Sequence, residues 1–470
     1  MRSFIFVAAW HDRGMRTLIL AAATAALTLA TPLSAQSQQE HLDARYDRAL
    51  AAGYKALMLC SAIAHAEANG TTRTPVSVHD WELAGIQAPL DGVVRDLDYQ
   101  LLRHANGTIE RVSVVWDEQA EPRFAIHLDD DRGCALSPIG GAFSLYGRLA
   151  NLPANRARSE ARVTAAPAAL EPAFTGAFTG RYGEGARTTA VLVRRNGDII
   201  AERYVTDFDP ATPQRTWSVA KSLAATVIGA AVQRGDVDVT SSAGLGFAKG
   251  DPRRAITIDH LLRMTSGRYS DTPGNRTDPI YWGGASVRER ALQWPLIHSP
   301  GTVYRYANND TLAAIQAIGK SLSAHPPAEL LADLGMTHTV AEIDWRGNYI
   351  LSSQVWSTAR DLARLGQLYL NDGRLSDGTR ILPEGWVQYV STPSGPQPDG
   401  PFGYGAGFWL MNASDGVPPD TFAAFGNRGQ YVVIVPSRDV VIVRRGEDPV
   451  GARFDIAAFT RDVLAAIEAE

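Results

Sequence analysis

The sequence predicts an α+β (α/β) protein: an antiparallel sheet flanked by helices, a mostly helical subdomain inserted from about 235 to 375, and an N-terminal extension. Three observations point there. The run TTAVLVRRNGDIIAERYV, residues 188–205, is two short apolar segments joined by Asn196-Gly197, the strongest short hairpin signal a sequence offers. The segment after Trp217 places Val219, Leu223, Ala224, Val227, Ile228 and Val232 at helical spacing. Further strand-like runs lie near the C-terminus, followed by FDIAAFTRDVLAAIEA at 454–469, a helix that would flank the sheet.

Composition narrows the function. The chain has 470 residues with 45% apolar and 20% charged, enough for a large core and against disorder as the dominant state. Lys+Arg 45 against Asp+Glu 50 gives a net charge of −5, so no global basic field exists to hold nucleic acid or an anionic membrane. A small molecule is the expected partner, and the sequence leaves the oligomeric state open. Only four residues are lysines, Lys55, Lys221, Lys249 and Lys320, so a lysine in a special setting carries information.

Taken in order, the chain opens with an export pattern. Arg16, the apolar run TLILAAATAALTLATPL and the small-residue site Leu33-Ser34-Ala35 form a charged, apolar and cleavable signal over residues 1–35, with Met15 a candidate start. An uncleaved anchor is the competing reading. No later stretch approaches eighteen consecutive apolar residues, so no stable membrane span is expected after cleavage. The expected destination is secretion, into the periplasm.

Residues 36–165 read as an N-terminal module: a helix near 41–68, then strand-like IERVSVVW and PRFAIHL around a turn. Its two cysteines, Cys60 and Cys134, are the only ones in the chain. In an exported protein they invite a disulfide, two free buried thiols being the alternative. The segment LPANRARSEARVTAAPAALEPAF, 152–174, has little periodicity and reads as a linker. Residues 166–470 then form the second domain, opened by the 188–205 hairpin.

The chemistry concentrates at RTWSVAKS, residues 215–222. Ser218 starts the buried helix and Lys221 lies one turn further on the same face, so an amine stands beside a hydroxyl near the positive end of a helix. That is a nucleophile with a proton acceptor, provided burial keeps some of the amine neutral. A helix cap followed by a solvent-facing lysine would look the same, since Ser-x-x-Lys alone is a weak signal.

Further stretches supply context: ITIDHLLRMTSG at 256–267, PGTVYRYANND at 300–310, LLADLGM at 330–336, WSTARDLARLGQLYLNDG at 356–373 and AAFGNRGQYVVIVPSRDVVIV at 423–443. With WSVAKS they resemble, in family order, the serine beta-lactamase-like superfamily, nearest the branch of class C beta-lactamases, DD-peptidases, esterases and 6-aminohexanoate-dimer hydrolases. The resemblance spans roughly 190–446 and implies a beta-lactamase/transpeptidase-like fold. It implies Ser218 as acylated nucleophile, Lys221 as its activating partner, Tyr306 as base and leaving-group proton donor, and Asn308 as the residue fixing lysine and substrate. A phenol near an ammonium can have a lowered pKa, which fits that role.

The third family element departs from its pattern. Where the family commonly shows Lys or His followed by a small residue and Gly, this chain has Asn427, Arg428 and Gly429. By resemblance, Gly429 lets substrate lie along the strand, and the backbone N–H groups of Ser218 and Gln430 form the oxyanion hole. Arg428 either replaces the missing charge or faces solvent at a sheet edge. The loop DTPGNRTDPIYWGGAS, 271–286, either lines the cleft, through Tyr281 and Trp282, or lies on the surface.

Other mechanisms find less support. There is no G-x-S-x-G, no histidine after His338, no H-E-x-x-H and no phosphate-binding glycine loop, and His260 is expected to pack or cap. No cofactor and no metal are expected. The expectation is a serine hydrolase of small-molecule amides or esters. The alternatives are a D-Ala-D-Ala carboxypeptidase or beta-lactamase, and a non-catalytic penicillin-recognising-like binding or sensor protein.

Overall fold

A computed structural model describes residues 13–141, 163–164, 166–269 and 278–469, with side chains from residue 37 onward. The expected signal side chains, part of the 152–174 linker and residues 271–277 of the expected cleft loop lie outside the described residues. A helix covers Arg13–Ala68. Its portion Ser37–Ala68 is long and apolar enough to cross a membrane, but that apolar window is entirely buried in the protein, as in the core helix of a globular domain. It packs on a four-stranded antiparallel sheet of β1 (Tyr99–Arg103), β2 (Ile109–Val114), β3 (Arg123–Asp129) and β4 (Gly133–Leu136). Cys60 on the helix is bonded to Cys134 on β4, with their Cα atoms 6.2 Å apart.

The second half contributes β5 (Thr188–Arg195), β6 (Asp198–Tyr204), β7 (Gln214–Arg215), β8 (Val340–Ala341), β9 (Val355–Ser357), β10 (Gly403–Tyr404), β11 (Trp409–Leu410), β12 (Phe422–Gly426), β13 (Gln430–Val435) and β14 (Val440–Gly446). The expected hairpin is β5–β6, and it closes one edge of a seven-stranded antiparallel sheet ordered β10-β11-β12-β13-β14-β5-β6. Strand alternation gives this sheet two apolar faces. Val191, Val193, Val433 and Ile442 meet the C-terminal helix Ile456–Glu468, while Leu192, Val432, Val441 and Val443 meet the helix Val219–Gln233 and the helix Ala359–Leu370. Gly366 is the point of closest approach, because a Cβ there would lie 2.6 Å from Val441.

The helical subdomain differs from expectation at its far end. Short helices run from Ile258 to Asp333, but Ala359–Leu370 lies flat on the main sheet, and β7, β9 and β8 form a small sheet of their own. Amphipathicity predicts such helices equally well wherever they pack, so the sequence pattern does not place this boundary.

The N-terminal module shares its core with the rest of the chain. Trp217, Tyr281, Trp282, Leu312 and Trp356 belong to the same buried cluster as Tyr54, Leu57 and Val112. Polar groups stitch the same seam. Buried Glu342 accepts hydrogen bonds from Ser61 Oγ at 2.7 Å and Cys134 N at 2.9 Å on one side, and from Gln354 Nε2 at 2.7 Å on the other, with His65 Nε2 at 2.9 Å. Arg123 donates to the carbonyls of Ala49 at 2.6 Å and Trp282 at 3.3 Å.

Candidate active site

The small sheet leads into Ser218. The Thr216 amide donates to the Val355 carbonyl at 2.7 Å, and Trp217 follows with φ +49°, a conformation that turns the chain abruptly into the helix Val219–Gln233. The Arg215 guanidinium holds the turn: it lies 3.8 Å from the Trp217 ring centroid and donates to Ser353 O at 3.3 Å. Ser218 takes the N-cap position, yet its hydroxyl makes no capping bond. Its bond is to the lysine instead.

Lys221, 2% exposed, has its Nζ 2.9 Å from Ser218 Oγ, 2.5 Å from Asn308 Oδ1 and 2.9 Å from the Ser352 carbonyl. Desolvation pushes its pKa well below that of a free lysine, with no carboxylate nearby to oppose the shift. Its three partners, Ser218 Oγ, Asn308 Oδ1 and Ser352 O, all accept from Nζ.

Tyr306 completes the group. It precedes the helix Asn308–Ala317, hydrogen-bonds Ser218, and its ring centroid lies 5.0 Å from Lys221 Nζ. The direction of its shift differs from expectation: burial among Tyr404 and Trp409 pushes the phenol pKa up, and the Ser218 bond offsets this only in part. Desolvation disfavours both charged forms, the ammonium of Lys221 and the phenolate of Tyr306.

A cavity of about 440 Å³ opens onto Ser218. Its walls are mainly aromatic, with Trp217, Tyr281, Trp282, Trp409 and Phe425 around Tyr306 and Asn308. Tyr281 and Trp282 therefore line the cleft, and the Tyr281 hydroxyl lies 2.8 Å from Ser352 Oγ. His260 caps its own helix through Thr257.

The third element is built differently from the expectation. Arg428 neither reaches the cavity at Ser218 nor faces solvent. It is 5% exposed, pairs with Glu447 at 2.7 Å and donates to the carbonyls of Trp81 at 3.0 Å and Ala84 at 2.6 Å. A guanidinium can satisfy several carbonyls at once, so it ties the hairpin turn to the N-terminal module. Gly429 does not face the cavity at Ser218 either: a Cβ there would meet the Arg444 guanidinium at 1.6 Å, with φ already at +78°. The Gln430 side chain is wholly buried on Gly446 O and Arg445. From this element Phe425 and Gly426, at the end of β12, and Asn427 beyond it line the cavity. Gly426 is packed on the Ser218 stretch, since a Cβ there would lie 2.4 Å from Thr216 O and 3.2 Å from Ser218 N.

Several site residues escape the sequence reading. Ser352 acts through its carbonyl, which leaves no side-chain signal, and Arg215 reads as any arginine. Asp278 lies within the quoted cleft loop, but its neighbours in space come from distant parts of the chain.

Comparison with known proteins gives matches of sequence and of fold. The sequence pattern of the family described as Beta-lactamase matches residues 174–466. The 6-aminohexanoate-dimer hydrolase of Paenarthrobacter ureafaciens is 27% identical over 300 residues, covering 56% of this chain and 73% of that protein. Among solved structures, a Bacillus anthracis protein assigned as a 6-aminohexanoate-dimer hydrolase aligns with a TM-score of 0.53 at 21% identity, covering 67% of this chain and 88% of that one. A Bacteroides dorei protein assigned as a beta-lactamase gives 0.52 at 21% identity, covering 65% of this chain and all of that one, 100%. These structural likenesses are of fold.

Proposed function

Since the chain belongs to the Beta-lactamase family, whose pattern covers most of its second half, we propose that it is a serine hydrolase cleaving amide or ester bonds of small molecules through an acyl-enzyme. The observation that carries this reading is the Lys221 amine, buried without a counter-ion and 2.9 Å from the Ser218 hydroxyl. Lys221 Nζ takes the Ser218 proton as Oγ bonds to the substrate carbonyl carbon. The Ser218 N–H holds the oxyanion with a second backbone N–H from the Gly426–Asn427 stretch, which lines the cavity, in place of the Gln430 N–H expected from the resemblance, which does not. Tyr306 gives its proton to the leaving group as the scissile bond breaks, and the proton held by the Lys221 ammonium restores the phenol. Water then repeats the sequence on the acyl-enzyme and restores Ser218. Export with removal of residues 1–35, and a periplasmic destination, belong to the same proposal, supported by the apolar N-terminal segment and the disulfide.

Intact mass after exposure to a fluorophosphonate, together with p-nitrophenyl butyrate turnover, tests it. The wild type should gain one adduct and turn over, and Ser218→Ala should lose both, with kcat/KM down about a thousand-fold or more. Turnover undiminished in Ser218→Ala would overturn the assignment. A durable penicillin adduct without product release would favour a penicillin-recognising sensor instead.

A further inference from the structure

A second and larger cavity, about 970 Å³, adjoins the one at Ser218. The two share Phe425, Gly426, Asn427 and Val450 in their walls, so a molecule seated at Ser218 can continue past these residues into the larger space. Strand register explains the shared lining. Trp409 on β11 stands opposite Ala423 on β12, and Phe425, two positions further along β12, stands opposite Tyr431 on β13. Alternation therefore puts the three rings on one face of the sheet, the face that carries the C-terminal helix. They form a continuous series. Trp409 stacks on Phe425 with centroids 5.7 Å apart, Phe425 meets Tyr431 at 5.2 Å and Phe402 at 5.1 Å, and Tyr431 lies 6.3 Å from Phe454. Trp409 lines the cavity at Ser218, Phe425 lines both cavities, and Phe402, Tyr431 and Phe454 line the larger one. Val450, which also lines both, is 65% exposed and is held in place by the N-terminal module, its amide donating to the Gly85 carbonyl at 2.9 Å. Carboxylates in the larger cavity are committed elsewhere: Asp448 pairs with Arg444, and Asp455 caps the C-terminal helix through the Ala458 amide. The track thus presents ring and methyl surface, which gains from contact with hydrocarbon.

We propose that the larger cavity is a second substrate subsite, which takes an apolar alkyl chain carried by the ester or amide cleaved at Ser218. The inference rests on the hydrolase reading above and adds a substrate class to it: medium-chain esters or amides whose chain runs over Phe425 into the cavity lined by Phe402, Tyr431 and Phe454. It also gives the N-terminal module a part in substrate binding, since the Gly85 carbonyl fixes Val450 where the two cavities meet.

Two ester series, each kept below its critical micelle concentration, test it. One lengthens the acyl group through p-nitrophenyl butanoate, octanoate and decanoate, and the other lengthens the alcohol from ethyl to decyl butanoate. Each methylene taken out of water favours binding by about four-fold, so in at least one series kcat/KM should rise by about thirty-fold or more from the shortest to the longest ester, mainly through KM. A gain with length does not by itself locate the chain, whereas filling the larger cavity does. Ala457→Trp and Ala413→Trp each put an indole at a wall position that belongs to the larger cavity alone. Each should lower the long-to-short ratio of kcat/KM by about ten-fold. Ala413 is exposed, so Ala413→Trp keeps the test decisive if Ala457→Trp, which packs against the apolar cluster under the C-terminal helix, fails to fold. Ser218-dependent turnover that does not rise with chain length in either series, or a rise that the folded variants leave undiminished, would overturn this proposal while leaving the hydrolase standing. Absence of Ser218-dependent turnover on every ester would instead bring down the reading on which it rests.

Discussion

At the scale of single residues, the proton-transfer roles proposed for Lys221 and Tyr306, taken with their shifts, predict how activity follows pH. Burial lowers the folded-state pKa of Lys221 below the ordinary lysine value of 10.5, so the active amine forms as pH rises through that lowered pKa. The kcat/KM for a neutral ester should therefore climb along an acid limb. The sign for stability is the same: between the folded pKa and 10.5 the unfolded chain binds the extra proton, so stability rises with pH over that window. Lys221→Arg keeps its charge at every accessible pH, and it should lose about a hundred- to ten-thousand-fold in kcat/KM together with the limb. Both profiles are best measured in an Asp278→Asn background, because Asp278 also lines the cavity and burial pushes its carboxyl up to about 6. Tyr306→Phe separates donor from base: it should cost about a hundred-fold or more on a p-nitroanilide and much less on a p-nitrophenyl ester, because p-nitrophenolate departs without a proton.

At the scale of elements, two glycines three residues apart, Gly426 at the end of β12 and Gly429 in the turn that follows, predict opposite phenotypes. Gly426→Ala drives a methyl against Thr216 O and Ser218 N, so it should lower kcat through displacement of the nucleophile backbone. Gly429→Ala instead forces a left-handed residue into the Arg444–Asp448 pair, and chemical denaturation should show a loss of about 2 kcal/mol or more. The same contrast explains what was legible in the sequence. Ser218, Lys221, Tyr306 and Asn308 lie within a turn or two of a helix start, so local spacing and family pattern bring the four together. The Asn427–Gly429 turn has no such local rule. Its side-chain directions are set by Trp81, Ala84, Glu447 and Arg444, which come from far along the chain, and Arg428 was consequently open to two readings that the structure replaces with a third.

At the scale of the whole molecule, the hydrophobic pattern shows that the first 165 residues form helix and sheet, but it does not show what covers them. The cover is the second domain itself. Trp217, Tyr281 and Trp356 lie in the N-terminal core, and Glu342 accepts hydrogen bonds from both sides of the seam. A chain beginning at residue 166 should thus expose this apolar face, and its expression should give aggregated or inactive protein by size-exclusion chromatography and ester turnover. Removing the Cys60–Cys134 bond, by Cys60→Ser with Cys134→Ser, is milder: the helix and β4 keep their packing, and unfolding should show a loss of about 2–4 kcal/mol with kcat little changed.

The aromatic walls also give the cavity an optical property. Three of the ten tryptophans in the chain, Trp217, Trp282 and Trp409, surround the space that an acyl group would fill. Their emission depends on how much water that space holds, so acylation that displaces water should shift intrinsic fluorescence to shorter wavelength. The protein would then report its own occupancy in a stopped-flow cell, without a chromogenic leaving group, and unlabelled amides could be screened directly as ligands.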